Sequence, residues 1–168
     1  MKANEHNILQ VLKGMNLEPK VQDQTGQIYT VFEHEGGQFP TFFRLLHEGD
    51  LIQMITFVPY TVTRTMLGDV GRFLHMINKE LDLPGFCLDE SSTTVFYRLV
   101  LPTSKKEFQQ ESFEALLNTS RLVITSFATV IAGLAVGATS LDEILAKVSE
   151  TQGKAKGRTA KATAKQKS

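Results

Sequence analysis

Residues 73–101 constrain the fold more than any other part of the chain, because the hydrophobic period changes there from helical to extended. Upstream apolar residues recur at steps of four, three and four, which predicts an amphipathic helix. Proline and glycine at 84 and 85 cannot continue that helix, because proline lacks an amide hydrogen and clashes with the preceding turn. Residues 93–101 then alternate with a period of two, as in a strand. A helix followed by a hairpin predicts a helix packed on a sheet. The helical positions are Val70, Leu74, Ile77 and Leu81.

Turn residues divide the rest of the chain into short elements. Asn4 is expected to cap a first helix that ends at Gly14. A second helix is expected from Thr63 to about Leu81. Glycine-containing turns separate the segments with a strand pattern. The expected strands are residues 20–24, 28–34, 39–47, 51–58, 85–89 and 93–101.

Two capping-box patterns predict the C-terminal helices. Ser104 precedes Glu107 by three residues and is expected to open a long helix that runs to about residue 135. Ser140 and Glu143 have the same spacing and predict a short helix. The predicted fold class is therefore α+β, an antiparallel sheet with helices in the order α-βββ-α-ββ-α, followed by a short C-terminal helix.

The strands at 39–47 and 51–58 are apolar on both faces. An antiparallel sheet commonly leaves one face in water. A second apolar face therefore needs a cover. Helices on both sides of the sheet, a partner subunit and a bound polypeptide are the alternatives that remain open.

The second helix has a wider apolar stripe than one contact with a sheet requires. Gly68 and Gly71 share one of its faces, and each costs about 0.5–1 kcal/mol relative to alanine. Close approach of another helix and loose local packing both account for them. The wide stripe predicts a second partner, most simply the same helix of a second copy across a two-fold axis. The predicted dimer interface is Met66, Gly68, Val70, Gly71, Phe73, Leu74 and Ile77.

Charge is distributed unevenly, although the formal net charge is zero. Residues 151–168 contain six basic residues and no acidic residue, so residues 1–150 carry 12 basic and 18 acidic residues. The segment 151–168 has no large apolar side chain and is predicted to be a disordered basic tail after a domain of residues 1–150. A solvated tail is favoured over nucleic-acid contact, because the tail has no aromatic residues to stack on bases.

No pattern of catalytic or metal-binding residues occurs in the sequence. The four histidines, at 6, 34, 47 and 75, are scattered, and Cys87 is the one cysteine. A small hydrophobic role on a strand is favoured for Cys87 over a nucleophile. We therefore predict no enzyme activity, no metal site and no cofactor.

The expected location is the cytoplasm. The N-terminal segment lacks the apolar core of a secretory signal, and a single cysteine fits a reducing compartment. Residues 122–141 carry no charge but include threonines, serines and glycines. A buried core helix is favoured there over a membrane span, which needs about 20 predominantly apolar residues.

This order of elements resembles the fold of class I type III secretion chaperones. The block 73–133 is similar to the YbjN-like family, which shares that fold. The segments that carry the resemblance are residues 76–79, 85–89, 95–101 and 108–134.

The resemblance implies a homodimer with the second helix near the two-fold axis. It also implies that the sheet and the first helix bind an extended segment of a secreted effector protein and keep it competent for export, without ATP. The alternative function is a regulatory domain of the YbjN-like type whose basic tail contacts an acidic partner. The implied effector-binding residues are Ile8, Leu12, Phe42, Leu46, Ile52, Met54 and Val58.

Overall fold

Four α-helices and one six-stranded antiparallel sheet make up residues 1–150, the part of the chain that the computed structural model describes. The predicted α+β fold class is confirmed, and so is the alternation of helices with groups of strands. Four strands lie between the first two helices, where the predicted order counts three. The predicted tail lies outside the described residues. The elements are α1 (Glu5–Gly14), β1 (Lys20–Val21), β2 (Ile28–His34), β3 (Gly37–Leu46), β4 (Leu51–Thr61), α2 (Leu67–Glu80), β5 (Phe86–Asp89), β6 (Thr94–Pro102), α3 (Gln110–Ala135) and α4 (residues 141–150).

The sheet has the strand order β1-β2-β3-β4-β6-β5. The first four strands form a meander. Helix α2 then carries the chain past β4, so that β5 lies at the edge and β6 returns between β5 and β4. The register pairs Phe42 with Ile55 and Phe57 with Phe96, which fixes the residues that share a face.

The helices bury one face of this sheet, in two clusters of apolar side chains. The larger cluster joins α2, the C-terminal half of α3 and Leu141 of α4 to one end of the sheet. The smaller cluster joins α1 and the start of α3 to the other end, with Phe43 stacked on Phe113 at 5.7 Å between ring centroids. Helix α1 begins as predicted, because the Asn4 side chain accepts a 2.9 Å hydrogen bond from the Asn7 amide.

Buried hydroxyl groups mark the junction between the two clusters. Thr30, Thr41 and Thr56 lie opposite one another on neighbouring strands, and each is at most 3% exposed. The hydroxyls of Thr41 and Thr56 are hydrogen-bonded at 2.8 Å. Ser120 lies on α3 between Leu117 of the smaller cluster and Ile124 of the larger one. We call these three threonines and Ser120 the polar seam.

Asn78 near the end of α2 holds the helix to the strand that follows. Its side-chain oxygen accepts from the amides of Gly85 and Phe86 at 3.2 and 3.0 Å, and its nitrogen donates to the Phe86 carbonyl at 2.9 Å. Gly85 is required here, because a Cβ atom would lie 2.4 Å from the Arg98 carbonyl oxygen. The point in the chain where the hydrophobic period changes is thus a tightly packed junction between α2 and β5.

The capping box predicted at Ser104 is wrong. The backbones of Ser104 and Glu107 pair with each other at 2.8 and 2.9 Å, and Lys105 and Lys106 have φ of 53° and 58°. These values fit a two-residue hairpin turn, and α3 begins only at Gln110. The turn is favoured over the cap because its backbone pairs with the N-terminal residues. Glu107 forms an isolated bridge with Lys2, and the Ala3 amide donates to the Lys106 carbonyl at 2.7 Å.

The second capping box is confirmed. The amide of Ser140 donates to the Glu143 carboxylate at 2.9 Å, and the amide of Glu143 donates to the Ser140 hydroxyl at 3.2 Å. These bonds lower the pKa of Glu143. Gly137, with φ of 72°, ends the preceding helix as predicted.

Helix α3 combines a buried stripe with an exposed apolar side. It is the one helix among residues 1–150 that is long and apolar enough to cross a membrane. Its inward residues nevertheless lie in both core clusters, as expected of a core helix. Leu122, on its outward side, is 67% exposed.

The paired hydroxyls of the polar seam give a test of the core. Thr41→Val is expected to lower the free energy of unfolding by about 1–3 kcal/mol, because it leaves the Thr56 hydroxyl buried without a partner. The double variant Thr41→Val/Thr56→Val is expected to cost less than the sum of the two single changes. Ser120→Ala serves as the control, because the Ser120 hydroxyl already lacks a hydrogen-bond partner. Urea unfolding measures the free energy of unfolding of the two single threonine variants, the double variant and the control. A double variant whose cost equals the sum of the single costs would contradict the pairing of the two hydroxyls.

Candidate protein-binding surface

The face of the sheet opposite the helices, which we call the outer face, carries two neighbouring rows of apolar side chains. In the first row Val31 pairs with Pro40, and Phe96 lies between Phe57 and Cys87. In the second row Phe42 lies between Tyr29 and Ile55. We call these residues the apolar band. Its members are Tyr29, Val31, Pro40, Phe42, Ile55, Phe57, Cys87 and Phe96.

A line of aromatic contacts runs through the band across four strands. Tyr29 and Phe42 stack with ring centroids 5.4 Å apart, and Phe42 meets Phe57 edge-on at 5.8 Å. Phe57 continues to Phe96, also at 5.8 Å. Such pairs contribute about 0.5–1.5 kcal/mol each beyond the area that they bury. The rings therefore form an ordered surface.

The band is not part of the core. None of its residues belongs to either core cluster, and each is half-buried or exposed. Of the covers considered for a second apolar face, helices on both sides of the sheet are not found within residues 1–150. Contiguous exposed apolar surface in a soluble protein commonly marks an interaction site.

Charged residues border the band with opposite signs on its two sides. Lys20 and Arg98 lie in register with the second row, opposite Tyr29 and Ile55 respectively. Arg44 lies two residues beyond Phe42 along β3. On the other side, Glu33 and Asp89 lie two residues beyond the ends of the first row. We call Lys20, Arg44 and Arg98 the basic rim, and Glu33 and Asp89 the acidic rim.

None of the five rim residues forms an ion pair within residues 1–150. Asp89 is held in the β5–β6 turn, where its carboxylate accepts hydrogen bonds from the hydroxyls of Ser91 and Ser92 at 2.6 and 2.8 Å. These bonds lower the pKa of Asp89 to about 2. Its charge on the acidic rim therefore persists well below neutral pH.

Five of the seven residues implied as the effector-binding surface lie in the core. Ile8, Leu12, Ile52, Met54 and Val58 are at most 4% exposed. Phe42 and Leu46 lie half-buried on the outer face. The predicted effector-binding set combines residues from both faces of the sheet. Phe42 pairs with Ile55 on the outer face, and not with a residue of the face that the helices cover. The predicted surface is corrected accordingly.

Residues that the sequence prediction left out form most of the band. Alternation along β4 puts Ile55 and Phe57 on the face opposite Met54 and Val58, but the sequence pattern alone does not say which face the helices cover. The same alternation marks Tyr29 and Phe96, because each lies between two buried neighbours along its strand.

The predicted dimer interface is largely used within the monomer. Val70, Phe73, Leu74 and Ile77 are at most 8% exposed and belong to the larger cluster. The additional apolar side chains of α2 pack against β5 and α3. A Cβ atom on Gly71 would make only ordinary contact with Leu88, at 3.8 Å. Met66 and Gly71 are half-buried, and Gly68 is exposed. Dimer formation itself stays a prediction.

A cleft of about 650 Å³ lies between α2, α3 and α4, away from the apolar band. Apolar residues such as Met76, Phe127 and Ile144 line it, while Lys79 and Glu80 form an exposed ion pair at 2.9 Å. No group of three or more histidine, cysteine or acidic residues within 1–150 could hold a metal ion.

Comparison with known proteins places this surface in a family. A family model described as "putative bacterial sensory transduction regulator", named YbjN, matches residues 6–132. The chain belongs to the YbjN family. The matched region contains every strand of the sheet, and hence the whole apolar band, whereas α4 lies beyond it.

Solved structures are similar to this chain at low sequence identity. YbjN from E. coli, described as "a putative transcription regulator", has a TM-score of 0.58 at 13% identity, covering 80% of this chain and 93% of that one. ExsC in the ExsC–ExsE complex has a TM-score of 0.54 at 18% identity, covering 76% and 95%. The HopA1–SchA chaperone–effector complex reaches 0.47 at 12% identity, covering 74% and 93%. No match was found among curated proteins.

Adjacent residues on β3 test the assignment of the two faces. Phe43→Ala is expected to lower the free energy of unfolding by about 3–5 kcal/mol, because Phe43 is 3% exposed in the smaller cluster. Phe42→Ala is expected to cost only about 1–2 kcal/mol, because it loses aromatic contacts on a half-exposed surface. Urea unfolding of both variants is the measurement, and equal costs would place Phe42 in a core.

Proposed function

We propose that this YbjN-family protein is a binding protein without catalytic activity that captures an apolar segment of another protein on the apolar band. The finer form of the proposal is a chaperone of type III secretion that keeps a secreted effector protein competent for export. The uncovered apolar band is the observation that carries it.

Binding is favoured over catalysis by the kind of groups present on the outer face. The band offers aromatic and aliphatic surface, and the charged residues stand at its border. The two carboxylates with lowered pKa, Asp89 and Glu143, are explained by a turn and a helix cap.

The size of the exposed surface predicts reversible capture. Fully burying a large apolar side chain contributes about 1.5–3 kcal/mol. Tyr29, Phe42, Phe57 and Phe96 are half-buried, so at most about a third of each ring is left to cover. Covering it would contribute at most about 2–4 kcal/mol before the costs of association. That range corresponds to millimolar binding or weaker. The apolar band alone therefore gives weak affinity, and further contacts must add to it.

Proteins of the same fold support a role in protein binding. ExsC is known in complex with ExsE. The homodimer that the resemblance implies and the cytoplasmic location expected from the sequence both belong to this proposal. The mass in solution, measured by light scattering, tests the homodimer.

Co-purification with candidate secreted proteins tests the proposal. Phe57→Ser/Phe96→Ser should reduce retention of a bound protein at least tenfold, because it places two hydroxyls in the middle of the band. Leu122→Ser is the matched control, since Leu122 is apolar and 67% exposed but lies on α3. A bound protein should also slow modification of Cys87, the one cysteine, by a thiol reagent. The proposal would be contradicted if the double variant retained a bound protein as well as the wild type and if binding left the rate of Cys87 modification unchanged.

A regulatory YbjN-type function is the second candidate, and the six basic residues of 151–168 favour it as an arm that contacts an acidic partner. Deleting residues 151–168 separates the two functions. Capture on the apolar band should survive the deletion and change little with salt. Tail-dependent binding should vanish on deletion and weaken steeply between low and physiological ionic strength, because exposed charges are screened. Pull-down at two salt concentrations distinguishes these results.

A further inference from the structure

We propose that the segment bound by the apolar band is charge-asymmetric, with acidic side chains on the border facing the basic rim and basic side chains on the border facing the acidic rim. This inference rests on the proposed function and names the chemistry of its partner.

The dimensions of the band point to a single segment of chain. The band crosses five strands, which at about 4.8 Å between neighbours gives a length of about 19 Å. Each residue on one face of a sheet occupies about 4.8 Å by 7 Å, so the eight residues of the band cover roughly 270 Å². A second copy of this chain would need about 800 Å² on each partner for a stable interface. One extended or helical segment fits the band, and a second copy does not.

The rim charges determine which segments fit best. Arg44 and Arg98 are exposed and have no ion-pair partner within residues 1–150, although this part of the chain carries more acidic than basic residues. On the opposite side, Glu33 is bonded only to the neutral amide of Gln38, at 3.1 Å. A segment that brings like charges to either rim is repelled, and one with complementary charges is favoured.

The expected size of the effect is moderate but measurable. Exposed ion pairs of this kind change an affinity by about 1.5- to 5-fold each. Two or three such contacts would together shift the affinity by roughly tenfold, which is enough to select sequences. The charge pattern then supplies part of the discrimination that apolar contact lacks, because apolar contact tolerates many sequences.

Selection from a library of random 12-residue peptides displayed on phage tests the inference. The wild-type chain is expected to enrich peptides in which an apolar stretch separates an acidic from a basic side chain. Arg44→Glu/Arg98→Glu makes the basic rim net acidic while Lys20 stays in place. This variant is expected to reduce the acidic residues of its selected peptides several-fold and to increase the basic ones. Arg64→Glu/Arg72→Glu is the matched control, because it changes the net charge equally at exposed positions away from the band.

The outcomes separate this inference from the proposed function. Selected peptides with the same charge composition for the wild type and for Arg44→Glu/Arg98→Glu would overturn the charge asymmetry and leave the binding function standing. If the wild-type chain enriched peptides no more than the Phe57→Ser/Phe96→Ser variant does, the binding function itself would be overturned. A selected peptide is then resynthesised with its acidic residue changed to glutamine. It should lose affinity for the wild type several-fold, and should not lose affinity for Arg44→Glu/Arg98→Glu.

Discussion

Alternation of side chains along the strands is the constraint on which the rest of this structure depends. Successive residues such as Phe42 and Phe43 point to opposite faces, so strands that are apolar throughout create two apolar surfaces. The helices bury one of them, in two clusters. The other surface keeps its aromatic rings in contact with one another and half in water. Both the core and the candidate binding surface therefore follow from one pattern.

The elements of this fold could be predicted because their signals are local. The cap at Asn4, the helix end at Gly14 and the break at Pro84 act within a few residues of the elements that they bound. The capping pattern at Ser104 failed for the opposite reason. Its backbone pairs with the N-terminal residues, which are distant in the sequence, and that pairing favours a turn over a helix start. A four-residue pattern does not contain this information.

The sequence predicts that an apolar binding surface exists, but it does not predict which residues form that surface. The presence of two apolar faces could be seen in the sequence, and so could the need for something to cover the second one. The face that α1 and α3 would cover depends on tertiary packing, so Ile52 and Met54 were assigned to the surface while Ile55 and Phe57 were left out. The strand register decides between the two phases, and a single sequence does not state the register.

The polar seam has a consequence for how the native state opens. It separates a larger apolar cluster around α2 and α4 from a smaller one around α1, and only α3 and the long strands belong to both. Apolar packing is the main source of cooperativity within a domain, and a line of hydroxyls interrupts it. Segments with fewer buried contacts open at lower free-energy cost than the global transition. We therefore expect helix α1 to exchange its amide hydrogens through a local opening while the larger cluster stays folded, which native-state hydrogen exchange would measure.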